Sequence, residues 1–395
     1  MVDRYRSVLA APGCARVFAT ALVGRLPQGM TSLAILLLVR SHTGSYAAAG
    51  VAVGAYAFAT AAAAPLLGRL VDRFGRRRTL APIAALQAVA LTALVLAAGA
   101  HAGAGALVLL AAMAGAVMPP IAPAVRALLR GILPDPEVRE TAYALESVIQ
   151  EVIWMVGPIV VAAVIAFAAP AVAVLLSGAV CIVGTLLFVS SPAAHGRGSR
   201  TASRDRSPVL AIAELRALLG PIFLNGLAIG AIDVGLPSLA LHAGSRPSSG
   251  LLLALWSAGS MIGGLWYGSR SWNASLAARY RVLLLTGVVC TAPLIAARTI
   301  PEGLVGSFLA GLTIAPVFSC QYALVGGAVS AGVETEAFTW VSSALIGGLA
   351  AGSAMAGAAV AAGGASAAFA LACGAMALAG LCAVRMRAGA ERQPA

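Results

Sequence analysis

With 60% of its 395 residues hydrophobic and only 10% charged, the chain is not a water-soluble domain, in which about a quarter of residues carry charge. A net charge of +12 would suggest nucleic acid in a soluble protein, but all 26 basic residues are arginines clustered between apolar runs, so no nucleic-acid partner is expected. Backbone amides in lipid must be paired internally, and the apolar runs lack the alternation of barrel strands, so the expected fold class is an all-α integral membrane protein.

Taken in chain order, apolar runs of about 20 residues recur, the length at which an α-helix crosses ~30 Å of hydrocarbon. Twelve spans are expected, near 15–39, 46–67, 79–100, 104–126, 141–168, 170–190, 214–242, 249–269, 281–298, 303–327, 336–362 and 365–385. The polar start, Met1 to Arg16, leads into a full-length span, and no signal peptide is expected. Ala102-Gly103, Ala169-Pro170, Pro301-Glu302-Gly303 and Gly363-Gly364 mark turns between spans. The six cysteines lie singly, without CxxC spacing or a histidine cluster, so neither a metal site nor a disulfide framework is expected.

Between the second and third spans lies Gly68-Arg69-Leu70-Val71-Asp72-Arg73-Phe74-Gly75-Arg76-Arg77-Arg78, with five arginines and one aspartate. Ala47–Leu67 and Thr79–Val125 carry no charge, so this cluster must sit in water at one membrane face. Gly75 permits a sharp turn, and Gly68 lets another helix approach the end of the second span. Asp72 can accept hydrogen bonds from an arginine or from an exposed helix N-terminus.

Ionisable groups inside a span cost ~2.5–3.5 kcal/mol each on insertion scales and usually face a cavity or a partner. In the first span Arg25 and Gln28 flank Pro27, which removes a backbone donor, so that nearby carbonyls are free to face a cavity. The fifth span holds Glu146 and Glu151, which point ~140° apart on a helix and so cannot share one pocket. Glu146, Gln150, Ile153 and Gly157 form one stripe; Ser147, Glu151, Trp154 and Pro158 form another. Asp233 lies in the outer part of the seventh span.

Ser191 to Ser207, rich in Ser, Gly and Arg, lies halfway along the chain and reads as a flexible tether with six spans on either side. The expected organisation is a bundle over 1–190, a linker over 191–210 and a second bundle over 211–395. Gly264-Leu265-Trp266-Tyr267-Gly268-Ser269-Arg270 follows the eighth span as a faded copy of the opening of the 68–78 loop, with Gly268 where the aspartate stood. With the N-terminus inside, 22 arginines fall on cytoplasmic segments and only Arg40, Arg246 and Arg298 on outer loops. The positive-inside rule therefore expects a cell-membrane protein with both termini cytoplasmic.

The pattern G-x-x-x-D-R-x-G-R-R, made by Gly68, Asp72, Arg73, Gly75, Arg76 and Arg77, resembles the signature loop of major facilitator superfamily transporters. The resemblance implies twelve transmembrane helices in two pseudo-symmetric six-helix bundles and a carrier of a small-molecule substrate. Composition and length look like the drug and metabolite efflux permeases of actinobacteria. In that superfamily the aspartate latches the halves together in the outward-facing state. The matching partners here are the helix start near Ala337 and Arg126 or Arg130, while Glu334 and Glu336 are positioned to pair instead with Arg73, Arg76 or Arg77. Gly50-x-x-x-Gly54, Gly259-x-x-x-Gly263 and Gly348-x-x-x-Gly352 fit small-residue packing on helices two, eight and eleven, which with helix five form the superfamily's sliding interface. The antiporter signature of span five is matched only at Gly157-Pro158, with Ile153 and Val161 where glycines belong.

On this reading the pathway comprises Arg25, Gln28, Glu146, Glu151, Trp154, Asn225, Asp233, Trp256 and Gln321. Glu146 lies near enough to the cytoplasmic end to be solvated, which makes Glu151 the expected proton carrier. The alternative is a permanent buried salt bridge of Arg25 with Glu146 or Glu151 that only fixes packing. His42, His101, His195 and His242 have no acid or cysteine constellation around them, and no P-loop is present, so neither an enzyme nor a bound cofactor is expected. The expected partners are a small-molecule substrate, membrane lipid and protons, with the chain a monomer. Efflux is the leading direction, with uptake or a non-transporting sensor as alternatives.

Overall fold

The computed structural model describes residues 2–192, 209–245 and 247–384, and among these all regular structure is helical. The 191–210 linker lies almost wholly outside the described residues. A short α1 (Val2–Ala10) precedes the first half, which comprises α2 (Cys14–Thr43), α3 (Tyr46–Phe74), α4 (Arg76–Gly99), α5 (Ala104–Ala116), α6 (Ile121–Ile132), α7 (Pro136–Phe167) and α8 (Pro170–Val189). The second half comprises α9 (Ala213–His242), α10 (Ser248–Gly268), α11 (Leu276–Thr291), α12 (Pro293–Ala296), α13 (Ile300–Gly311), α14 (Ile314–Ala328) and α15 (Glu334–Val384).

These helices build twelve crossings. α15 is two crossings joined at a kink, where Gly363 leaves helical geometry and Gly364 takes φ 68°, a region open to glycine at little cost. The fourth and tenth crossings are both broken: α5 stops at Ala116 before Met118-Pro119-Pro120, and α13 stops at Gly311 before Leu312-Thr313. The same interruption at the same position of each half is the repeat expressed in structure. Phe58, Leu66, Val89, Leu96, Phe167 and Val289 are all exposed, giving the bundle a belt of large apolar side chains suited to lipid.

The halves meet through α3 with α15, α7 with α10 and α14, and α6 with α15. Of the three small-residue motifs, two pack closely but inside one half. A side chain at Gly259 or Gly263 would strike the α13 backbone at Phe308 or the carbonyl of Leu312, and one at Gly348 or Gly352 would strike the α9 backbone at Phe223 or Leu227. Gly50 and Gly54 have nothing within 4 Å of that position. The crossing of α3 and α15 is instead made by Gly68, where a Cβ would come within 2.8 Å of Thr339 Cγ2.

α1 was not among the expected elements. Its nine residues are too few to span a bilayer, and it is held by tertiary contacts: Tyr5 donates to the Leu265 carbonyl (2.9 Å), and Arg4 pairs with Glu137 (2.7 Å).

Candidate functional site

The loop between α3 and α4 turns at Gly75, whose φ of 87° disfavours any residue with a Cβ. The turn leaves Asp72 on the last turn of α3, facing the start of α15. Its two carboxylate oxygens accept the backbone N–H of Thr335 (3.2 Å) and Glu336 (2.8 Å), the free amides of a helix N-terminus. Arg69 reaches Glu336 at 3.7 Å, a pairing not foreseen from the sequence. Glu334 accepts the N–H of Gly332, in the turn before α15, at 2.7 Å. Among the described residues Arg73, Arg76 and Arg77 make no salt bridge with Glu334 or Glu336; Arg73 lies over the Phe74 ring and Arg77 is exposed, while Arg76 is near enough to Glu334 and Asp72 to act on both electrostatically. Neither of the two arginines offered as partners of Asp72 pairs with it. Arg130 donates to the Val329 carbonyl ahead of α15, and Arg126 points deeper into the bundle.

A second brace joins the halves at α7. Glu140 takes both terminal nitrogens of Arg279 (2.8 and 3.0 Å), and Thr141 donates to the carbonyl of Gly268 (3.1 Å), in the faded motif copy. The aspartate lost from that copy is thus matched by an acid on the opposite partner. Tyr143, Phe318, Tyr322 and Phe338, all buried, cluster with ring centroids 6.1–6.4 Å apart, Phe318 stacked on Tyr322 and the other contacts edge-to-face or tilted, a plug contributed by α7, α14 and α15. Among the described residues, every hydrogen bond joining the halves lies on this loop face or, as with Ser343 to the Ala61 carbonyl (2.6 Å), near mid-depth. None ties the opposite ends together. The bundle is closed at the loop face.

Beyond the plug lies a buried charge triad. Glu146 accepts from Arg25 (2.5 Å) and Arg126 (3.0 Å), and Arg25 also donates to Gln150 Oε1 (2.5 Å). Arg25 is 1% exposed and Glu146 0%, so Glu146 is not solvated as its sequence position suggested. The ten helical rises from Pro136 to Glu146 cover about 15 Å, which sets Glu146 well inside the start of α7. Arg126 stacks over the Tyr322 ring at 3.9 Å, so the broken fourth and tenth crossings meet at this point. The stripe of Glu146, Gln150, Ile153 and Gly157 lies against α2: the first two hold Arg25, and the last two pack on Gly29. Gly29 therefore supplies the close approach that the missing glycines of span five would have given.

On the other stripe, Glu151 meets the second half. Glu151 lies beside Ser260 of α10, and the Asp233 carboxylate of α9 is near enough to act on it electrostatically. Both acids are crowded by protein, yet each retains accessible surface. Neither has an ion-pair partner among the described residues. Trp256 (8% exposed), Asn225 (3%) and Gln321 (0%) are buried, Trp256 and Asn225 with one unpaired polar atom and Gln321 with two, and Ser260 is fully buried beside Glu151. Trp154 is exposed and Gln28 half-buried. The sequence thus pointed to Arg25, Glu146, Glu151 and Asp233, but offered Arg126 as a partner of Asp72, placed Gln150 only on a helical stripe, and did not single out Ser260 or Tyr322. Their signal is tertiary, since each acquires meaning only from what another helix brings to it.

The sequence of residues 17–274 matches the family model described as Major Facilitator Superfamily. No curated protein sequence matches the chain. Among solved structures, the human organic anion transporter MFSD10 (TETRAN) is similar at 19% identity and a TM-score of 0.75, over 94% of this chain and 99% of that one. A bacterial homologue of the iron transporter ferroportin in an outward-facing state is similar at 14% identity and a TM-score of 0.74, over 94% and 98%. FucP, a Major Facilitator Superfamily transporter of E. coli, in its outward conformation gives 14% identity and a TM-score of 0.71, over 96% and 100%. A latch of an aspartate on a helix N-terminus, two six-helix halves with matched broken crossings, and the family match together establish the conclusion that this multi-pass membrane protein belongs to the major facilitator superfamily.

Proposed function

We propose that the protein is a secondary active transporter that moves a small organic solute across the cytoplasmic membrane by alternating access, in the manner of a proton-coupled drug or metabolite exporter. The positive-inside rule puts the loop face and both termini in the cytoplasm, so the present arrangement is outward-facing. The observation that carries the reading is one-sided closure around a buried charged centre. The loop face is latched, braced and plugged, while Glu151 and Asp233 beyond the plug keep access to space. Breaking the Asp72, Glu140 and Tyr322 contacts and closing the opposite ends would expose the same centre to the other side.

In this reading Arg25 and Glu146 form the permanent salt bridge anticipated as one alternative, with Arg126 as a third member, and Glu151 carries the proton. Glu146 pairs with two guanidiniums, whereas Glu151 has no arginine partner among the described residues. Resemblance to the actinobacterial efflux permeases favours export. Uptake remains the alternative direction, since one similar structure is of a fucose:proton symporter. The test is counterflow in proteoliposomes followed by solute-driven proton movement. Wild type should show both, and Glu151→Gln should keep counterflow while losing most of the proton movement. Absence of counterflow for every solute that stabilises the purified protein would overturn the transport reading, and unaltered coupling in the variant would remove Glu151 from it.

A further inference from the structure

We infer that α1 is a strap carried by the first half that fastens the end of α10, in the place left by the aspartate missing from the second copy of the signature loop. The inference rests on the alternating-access reading above and adds a third tie to its closed loop face. Two seams cross that face, α3 against α15 and α7 against α10. In the first, Asp72 accepts from the start of α15. In the second, Gly268 stands where the aspartate would be. The room beside it is filled from elsewhere, because a Cβ at Gly268 would strike Tyr5 Oη and Ala144 Cβ. A side chain at that position and Tyr5 in its present place exclude each other.

The second seam reverses the polarity of the first. Asp72 accepts from N–H groups that begin a helix, whereas α1 donates to carbonyls that end one. The Ser269 N–H, which would close a last α-turn on Leu265, reaches the Trp266 carbonyl instead (3.3 Å). Tyr5 Oη donates to the Leu265 carbonyl thus left over (2.9 Å) and lies 3.3 Å from that of Gly264. Arg4 donates to the Arg270 carbonyl just past the helix (2.9 Å), and its other terminal nitrogen holds Glu137 of α7 (2.7 Å). A guanidinium also suits the negative end of a helix dipole. With Thr141 on the Gly268 carbonyl (3.1 Å), three side chains of the first half therefore cap α10. The strap travels with that half. Its backbone packs on α2 and α7, Val8 is fully buried, and the three-residue turn Ala11-Pro12-Gly13 ties it to α2. Rocking that opens the α7–α10 seam must break the Tyr5 and Arg4 contacts, so α1 weights the balance toward the arrangement closed at this face.

The test uses the purified full-length protein in detergent, with the partly exposed Cys290 and Cys382 replaced by alanine and spin labels placed in pairs. Arg77 with Asn273 spans the loop face, and Ser41 with Ser248 spans the opposite ends. The variants are made on an Asp72→Asn parent, whose loop face opens part of the time, so that a shift in either direction is readable. Tyr5→Phe removes only the hydroxyl, and Arg4→Gln removes the guanidinium fork. Each should raise the ratio of open to closed loop faces about 2- to 10-fold, the share of one hydrogen bond, and the double variant should raise it further. Arg6→Gln, on the exposed side of the same helix, should leave the ratio unchanged. Lengthening at the loop face must be matched by shortening between Ser41 and Ser248; without that, α1 frays alone and is no strap. Tyr5→Phe and Arg4→Gln both indistinguishable from the parent, or Arg6→Gln equal to them, would overturn the strap and leave the rocking description intact. A parent that opens nothing would remove the rocking description, and the strap with it.

Discussion

Two glutamates one and a half turns apart on α7 live in opposite circumstances, and the difference predicts opposite responses to the same substitution. Glu146 is the shared acceptor of Arg25 and Arg126 with no exposed surface. Glu146→Gln would leave two guanidiniums uncompensated in a dry site, and breaking a buried pair in this way costs about 3–5 kcal/mol. Glu151 forms no ion pair and faces a second acid. Glu151→Gln therefore removes repulsion rather than attraction and should hold or raise the Tm. Thermal unfolding of both variants in one detergent reads this contrast, and a Glu151→Gln protein the less stable of the two would contradict it. Arg126→Lys should also destabilise, because an ammonium cannot both reach Glu146 and lay a planar face on Tyr322.

At the scale of helices, packing is decided by what lies opposite, and sequence spacing does not record that. Gly68→Val should push α3 from α15, since its side chain would meet Thr339 and the Glu336 backbone, and it should raise accessibility at the loop face. Gly54→Val faces open space and should leave stability within ~0.5 kcal/mol, apart from a small loss of helix propensity. Cysteine accessibility at Ala331 reads the first, and Tm reads the second. Equal effects from the two valines would show that this crossing is not set by Gly68. Gly50-x-x-x-Gly54 and Gly259-x-x-x-Gly263 look alike on paper, and only the second has a helix against it. The twelve crossings were legible because hydropathy is local to each segment, and the 68–78 loop because its turn and its acid lie within eight residues. Helix ends were less so: α2 runs past Arg40, which lies over the Tyr46 ring at 4.0 Å, to Thr43, and ends where Gly44 takes φ 67° and returns its N–H to the Arg40 carbonyl. Arg126 on Glu146 was illegible, because the partner comes from another helix whose rotation depends on the whole bundle.

For the molecule as a whole, the balance between outward- and inward-facing forms rests on contacts confined to one face, so removing one of them should move the entire bundle. Asp72→Asn keeps the side chain's shape but replaces a charged acceptor of two helix-terminal N–H groups by a neutral amide with a single acceptor oxygen. Hydrogen bonds to charged groups contribute roughly 1.5–3 kcal/mol each. Losing one such interaction corresponds to about a 10- to 100-fold change in a two-state equilibrium, at ~1.4 kcal/mol per decade. The Glu140–Arg279 brace and the aromatic plug persist, so the loop face should open part of the time rather than fall apart. Spin labels at Arg77 and Ala331 should report a new longer-distance population in the variant, while labels at Ser41 and Ser248 report a shorter one. Both shifts must occur in the same preparation, because alternating access ties them together. Lengthening at the loop face with no change at the opposite ends would mean that the latch only frays locally, and the rocking description would fail.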